Sequence, residues 1–267
     1  MFLLSIPVAL LWLMLLRHAV AVGSGVVVHA VERQERPAAS RTLAAMVCRE
    51  TVARTVFHLA EPLARALRPA PPSARCERPV LLVSPPPWSA APMLLLARFL
   101  TKRGHTVFPI SLSPEDTLAQ HAETLEIALR VLRRHTECTE VDVVAHGRAG
   151  LAVAWLLRHH TDASALPPVR RFVALAVPFY GTRFAALLPE PADREVTIRN
   201  HHLDALDQLP VELHAIVCPD DPVVIPHTAA LPQGASHALI DAAGHLALLL
   251  SARTLRTVAE ALKDTPT

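Results

Sequence analysis

The residues of this chain that could do chemistry gather where apolar runs end. The stretch Thr139–Trp155, TEVDVVAHGRAGLAVAW, reads as a buried strand, a tight turn and a helix. Such a turn places one residue at the mouth of a helix, where unpaired backbone N–H groups and the helix dipole favour negative charge. Here the turn residue is Gly147, which has no functional group, and Arg148 follows it as a cation. A carboxylate or phosphate group is the ligand that this arrangement would take, unless Arg148 points to solvent or pairs with an acid. The chain has 15 histidines, but they are scattered and show no metal-ligand spacing. The adjacent pairs His159–His160 and His201–His202 read as solvated surface residues. No metal site and no cofactor are expected.

The elements that must position these residues begin at Arg78. Apolar runs at RPVLLVS, HTVFPISL, VDVVAH, RRFVALAVP, VELHAIVCP and ASHALIDAA are strand candidates. Helical patterns lie between them: APMLLLARFLTKRG, SPEDTLAQHAETLEIALRVLRRH with Ser113 as N-cap, and LAVAWLLRHH; LALLLSARTLRTVAEALKD closes the chain. Strands alternating with helices imply right-handed crossovers and a mostly parallel sheet. The segment between Gly181 and Leu209 has no strong periodicity and has room only for a short lid. A chain of 267 residues, 51% hydrophobic, suffices for one sizeable α/β domain. A net charge of only +2 gives no support to nucleic-acid binding.

Two segments precede that domain. Residues 1–31 are apolar, MFLLSIPVALLWLMLL and then AVAVGSGVVVHAV, interrupted by Arg17 and His18. They read as a membrane anchor or a signal-like segment: with Arg17 snorkelling, the run could span a bilayer. Ala19-Val20-Ala21 resembles a cleavage site, but no basic residue precedes the apolar run, which favours an uncleaved anchor. Residues 32–75 read as a linker and a helical arm. Ser40 would cap the arm, and Pro62 should break or restart it.

Four motifs in this order resemble the α/β-hydrolase fold, and within it the bacterial lipase-like branch. VDVVAHGRAG is similar to the lipase turn V-D-L-V-G-H-S-x-G-G, with Gly147 where that family carries its nucleophilic serine. LAVPFYGTRFA is similar to T-P-H-x-G-T-x-x-A, with Phe179 in place of the histidine. CPDDPVVIP resembles the turn after the acid strand, which makes Asp221 the acid. DAAGHLALLLS resembles the turn that holds the catalytic histidine, His245. The resemblance covers about two-thirds of the chain and implies an α/β-hydrolase domain over 76–267 with a minimal lid. In the family, a histidine takes the proton of the serine while the carboxylate fixes its tautomer. Here the Asp221–His245 pair would survive without that serine.

The oxyanion hole is also altered. The resemblance assigns one donor to the N–H of Arg148 and the other to the loop after the first strand. That loop is SPPPW, with Pro86 at the donor position, and proline has no N–H. The expectation is a pseudoenzyme that binds a lipid or ester-like molecule or a protein partner, with Arg148, Phe179 and Trp88 as candidate ligand contacts. The alternative is an active lipase or esterase-type hydrolase using Asp221 and His245 with an unconventional nucleophile. The fold also implies neighbouring strand ends for Cys76 and Cys138, which would allow a disulfide. A disulfide and the exported habit of the resembling lipases favour an extracytoplasmic face. Arg33, Arg36 and Arg41 after the apolar run favour the cytoplasmic one.

Overall fold

The computed structural model describes residues 40–66, 75–159, 166–187, 195–197, 209–241 and 244–264. The expected anchor, residues 1–31, lies outside them, and among the described residues no helix is long and apolar enough to cross a membrane. Six strands form one parallel sheet: β1 (Val80–Ser84), β2 (Val107–Ser111), β3 (Val141–His146), β4 (Val169–Leu175), β5 (Glu212–Val217) and β6 (Ser236–Leu239). Their spatial order is β2-β1-β3-β4-β5-β6. The central strands β1 and β3 are buried at every residue. That is why each reads as an unbroken apolar run: a parallel strand covered on both faces has no solvent side to alternate with.

Alternate residues of each strand feed two cores. Leu81, Val83, Val143, Ala145 and Phe172 meet helices α3 (Leu118–Thr136) and α4 (Arg148–His159) on one face. Val80, Leu82, Val144, Val173 and Ala215 meet α2 (Leu94–Thr101) and α5 (Ala252–Ala261) on the other. Helix α3 starts later than Ser113 suggests. Thr117 caps it, accepting from the Gln120 N–H while the Gln120 side chain accepts from the Thr117 N–H. This reciprocal capping box satisfies two donors, whereas Ser113 accepts only a 3.4 Å contact from the Glu115 N–H. The closing helix is also divided. A 3-10 turn, Ala247–Leu250, precedes α5, and Ser251 between them is the N-cap.

The arm is a single helix, α1 (Ser40–Ala66), which runs through Pro62. Phe57 and Ala64 are buried on either side of that proline, so packing holds together what local propensity would break. Ala53 and Phe57 belong to the core under α2 and α5. The arm therefore lies on the domain. Cys76 and Cys138 are free thiols, and among the described residues no disulfide forms. The Cys76 N–H is instead tied to the carbonyl of Thr136.

The lower end of the sheet carries a charge network. Arg78 reaches Asp142 at 3.1 Å and Asp264 at 2.7 Å, and the buried Arg171 reaches Glu212 at 3.0 Å. Burial pushes the Asp142 carboxyl up to about 6, against the opposing pull of Arg78 and Arg171. A raised folded pKa means the group's stabilising share is full below about 3.8 and is lost as pH rises through about 6. The shift corresponds to no more than about 3 kcal/mol. In urea melts, the stability of wild type minus that of Asp142→Asn should therefore fall between pH 4 and pH 7. A flat or rising difference would rule out a strained carboxyl here.

Candidate active site

The upper ends of β1, β3, β4 and β5 and the turn after β6 converge. Strand β3 ends at His146, and the chain turns at Gly147 with φ +55°. This is left-handed backbone, which glycine adopts without steric cost. The Gly147 N–H donates to the carbonyl of Leu175, and Gly150 donates back to Gly147. A Cβ on Gly150 would stand 2.1 Å from Val177 Cγ2. Glycine there lets α4 press onto the exit of β4, and the helix opens directly behind the turn.

Asp221 and His245 meet, as the motifs imply. Asp221 Oδ1 accepts the N–H groups of Val223 and Val224 at 2.7 and 2.9 Å. Its Oδ2 accepts the His245 Nδ1–H at 2.8 Å. The carboxylate thus fixes the proton on Nδ1 and leaves Nε2 facing the turn. A Cβ placed on Gly147 would lie 3.3 Å from that Nε2, and among the described residues beyond its chain neighbours only His245 atoms come within 4 Å of it. Thr182 braces the acid loop: its hydroxyl donates to the carbonyl of Val223 and accepts from the Ile225 N–H at 3.0 Å. Burial opposes charge on His245, but the charge and hydrogen bond of Asp221, joined by Glu50, hold its pKa above the usual histidine value.

Two residues complete this centre. His146 packs against His245 with ring centroids 4.4 Å apart and planes tilted by 55°, and its Nε2–H donates to the His245 carbonyl at 3.2 Å. Full burial, then the nearby His245, keep His146 well below the ordinary histidine range, so it is a neutral donor. Glu50 comes from helix α1 and is wholly buried. Its two carboxylate oxygens accept the N–H groups of Leu246 and Ala247 at 3.0 and 3.1 Å. The turn bearing His245 is therefore gripped on both sides, its carbonyl by His146 and the next two N–H groups by Glu50. Burial raises the Glu50 pKa despite the opposing pull of His245 and those two donors. Sequence reasoning missed Glu50, although a signal was present. A carboxylate at 50 falls in register with the apolar positions Met46, Ala53 and Phe57, where only a paired acid can be buried.

The proline loop offers no spare backbone N–H near its apex. Residues 85, 86 and 87 are prolines, the Trp88 N–H donates to the Pro85 carbonyl, and the Ser89 N–H donates to Glu61 of α1 at 3.1 Å. The candidate ligand contacts are placed elsewhere than expected. Arg148 pairs with Glu195 at 3.0 Å and donates to the carbonyl of Asp116 at 2.7 Å, so its charge is already met. Phe179 is buried edge-on against Phe172. Trp88 is buried beneath α1, against Phe57 and His58. Core packing therefore claims both aromatic rings. Among the described residues no cluster of His, Cys, Asp and Glu could hold a metal ion.

No family model and no curated protein matches this chain in sequence. Solved structures match in fold. The mature form of Bacillus licheniformis lipase BlEst2 superposes with TM-score 0.63 and 15% identity over 73% of this chain and 96% of that one. The product of gene lin2722 from Listeria innocua gives 0.59 and 15% over 72% and 96%. Est1E from Butyrivibrio proteoclasticus gives 0.54 and 12% over 70% and 89%. The architecture is thus an α/β-hydrolase fold like that of lipases and esterases.

Proposed function

We propose that this chain is a lipase-like α/β-hydrolase homologue that has lost serine-hydrolase turnover and binds a lipid or ester-like molecule at the old catalytic centre. The observation that carries this reading is the assembled Asp221–His245 pair facing Gly147. A base is aimed where a nucleophile would stand, and the residue there has no hydroxyl. The proline loop supports it, since its N–H groups are absent or committed, and losing one oxyanion donor costs about 100- to 1,000-fold in rate. Residues 1–31 act as the tether that holds the domain at a membrane.

One observation favours a second reading. His245 Nε2 faces Gly147 with no side chain of that residue between them, so a water held there could give its proton to Nε2 and add its oxygen to an ester carbonyl. The proton then passes to the departing alcohol.

Hydrolysis of a short- and a long-chain ester by the full chain separates the two, beside a His245→Ala control. The pseudoenzyme reading expects the same background rate from both proteins. A wild type clearly faster than the control would overturn it in favour of activated water.

A further inference from the structure

Helix α1 is apolar on two sides. Its inner side carries Met46, Ala53, Phe57 and Ala64 and is buried against the domain. Its outer side carries Val52, Val56, Leu59 and Leu63, which are 59%, 42%, 70% and 56% exposed. Their spacing puts them on one stripe about 16 Å long. The other large exposed hydrophobics of the described residues, Leu95, Ile127, Tyr180 and Leu239, stand singly on three different elements and a turn. A continuous apolar stripe on an outward helix face marks a surface that something covers.

Charge and reach point to what covers it. The two carboxylates of this helix, Glu50 and Glu61, are both turned inward, onto the His245 turn and the proline loop. The exposed charged residues of its described face are Arg49 and Arg65, and Arg65 is paired at 3.0 Å with the largely covered Glu61. The outer face of this helix therefore presents apolar and cationic groups and no exposed acid of its own. The apolar residues 1–31 are joined to α1 by residues 32–39, a connection that spans at most about 30 Å. Where that run enters a bilayer, α1 is held within about 30 Å of the lipid surface. Val52 also lines an open groove of about 410 Å³, shared with Arg49, Ala247, Leu250 and the acid Asp241, which begins two residues beyond His245; Asp241 is itself 3.8 Å from Arg253.

We infer that the outer face of α1 is a membrane-docking surface: Val52, Val56, Leu59 and Leu63 sink into the lipid interface, with Arg49 and Arg65 toward anionic headgroups. The inference rests on the membrane tether proposed above and not on the catalytic reading. Docking would open the groove beside the His245 turn toward the lipid phase.

The test uses the full chain in vesicles of phosphatidylcholine and phosphatidylglycerol. Cys48 and Cys76 are replaced by serine, and an environment-sensitive fluorophore is placed on Leu59→Cys or, as control, on Ile127→Cys of α3. Lipids carrying a nitroxide near the headgroup should quench position 59 at least about three-fold more than position 127, as a face sunk roughly 5–10 Å requires. Equal quenching on vesicle-bound protein would overturn the docking surface and leave the tether standing. A blue-shifted probe at 59 that nitroxide lipids do not touch would assign the stripe to protein, either residues 1–31 or a second copy, and overturn the lipid. A chain that does not associate with vesicles at all would overturn the docking and the tether together.

Discussion

Serine at position 147 should make this protein react covalently with a fluorophosphonate, while wild type stays unlabelled. The Gly147 backbone already holds the left-handed φ of +55°. A serine there bears a strain of about 1–2 kcal/mol, small against the stability of a domain of this size. Its Cβ would sit 3.3 Å from His245 Nε2, which puts the hydroxyl within hydrogen-bond reach of that nitrogen. With Nδ1 tied to Asp221, Nε2 is free to accept the serine proton. Labelling should vanish again in Gly147→Ser with His245→Ala. The His245 pKa is raised, and only the neutral ring is a base, so the labelling rate should climb with pH through an inflection above 6.5. Ester turnover should remain about 100- to 1,000-fold short of a complete triad, because the proline loop still lacks its donor. A folded Gly147→Ser protein that resists the probe would show that Nε2 is not aimed at this turn, and the pseudoenzyme argument would lose its premise.

Glu50→Ala should destabilise the domain and loosen the turn that bears His245. It leaves the N–H groups of Leu246 and Ala247 buried without acceptors, at about 1–3 kcal/mol each. The relief of an unfavourably buried charge offsets part of that. A net loss of about 3 kcal/mol and a fall in Tm of roughly 6–12 °C are expected. Glu50→Gln keeps one acceptor oxygen and should lose less. The pH dependence has a definite sign. The Glu50 pKa is raised, so the carboxyl's stabilising share is present below 4.5 and fades as pH rises through its folded value. The advantage of wild type over Glu50→Gln should therefore be larger at pH 4 than at pH 7. In the Gly147→Ser background, Glu50→Ala should also slow fluorophosphonate labelling, because the turn that aims His245 loses its grip. A Glu50→Ala protein that melts with wild type and labels at the same rate would reduce α1 to a passive cover.

The strands of the sheet were legible in the amino-acid order. Buried parallel strands must be apolar at every position, so VLLVS and VDVVAH announced themselves, whereas Gly147, Asp221 and His245 were picked out only by the resemblance of their turns to the lipase motifs. Local signals failed where packing or a better cap competed. Pro62 lies inside a helix because Phe57 and Ala64 anchor both sides of it, and Thr117 displaces Ser113 because Gln120 returns its hydrogen bond. What the charged and aromatic residues do came from the packing of distant segments. For Arg148 the choice among binding an anion, pointing to solvent and pairing with an acid was made by Glu195, 47 residues on, which comes within 3.0 Å. Trp88 looked like a ligand contact until α1 closed over it, and Glu50 acquired its role from N–H groups 196 and 197 residues away. Apolar periodicity is written locally along the chain, because each strand or helix must bury its own face. The partner of a buried charge is set by which loops the fold brings together, and no spacing in the sequence records that.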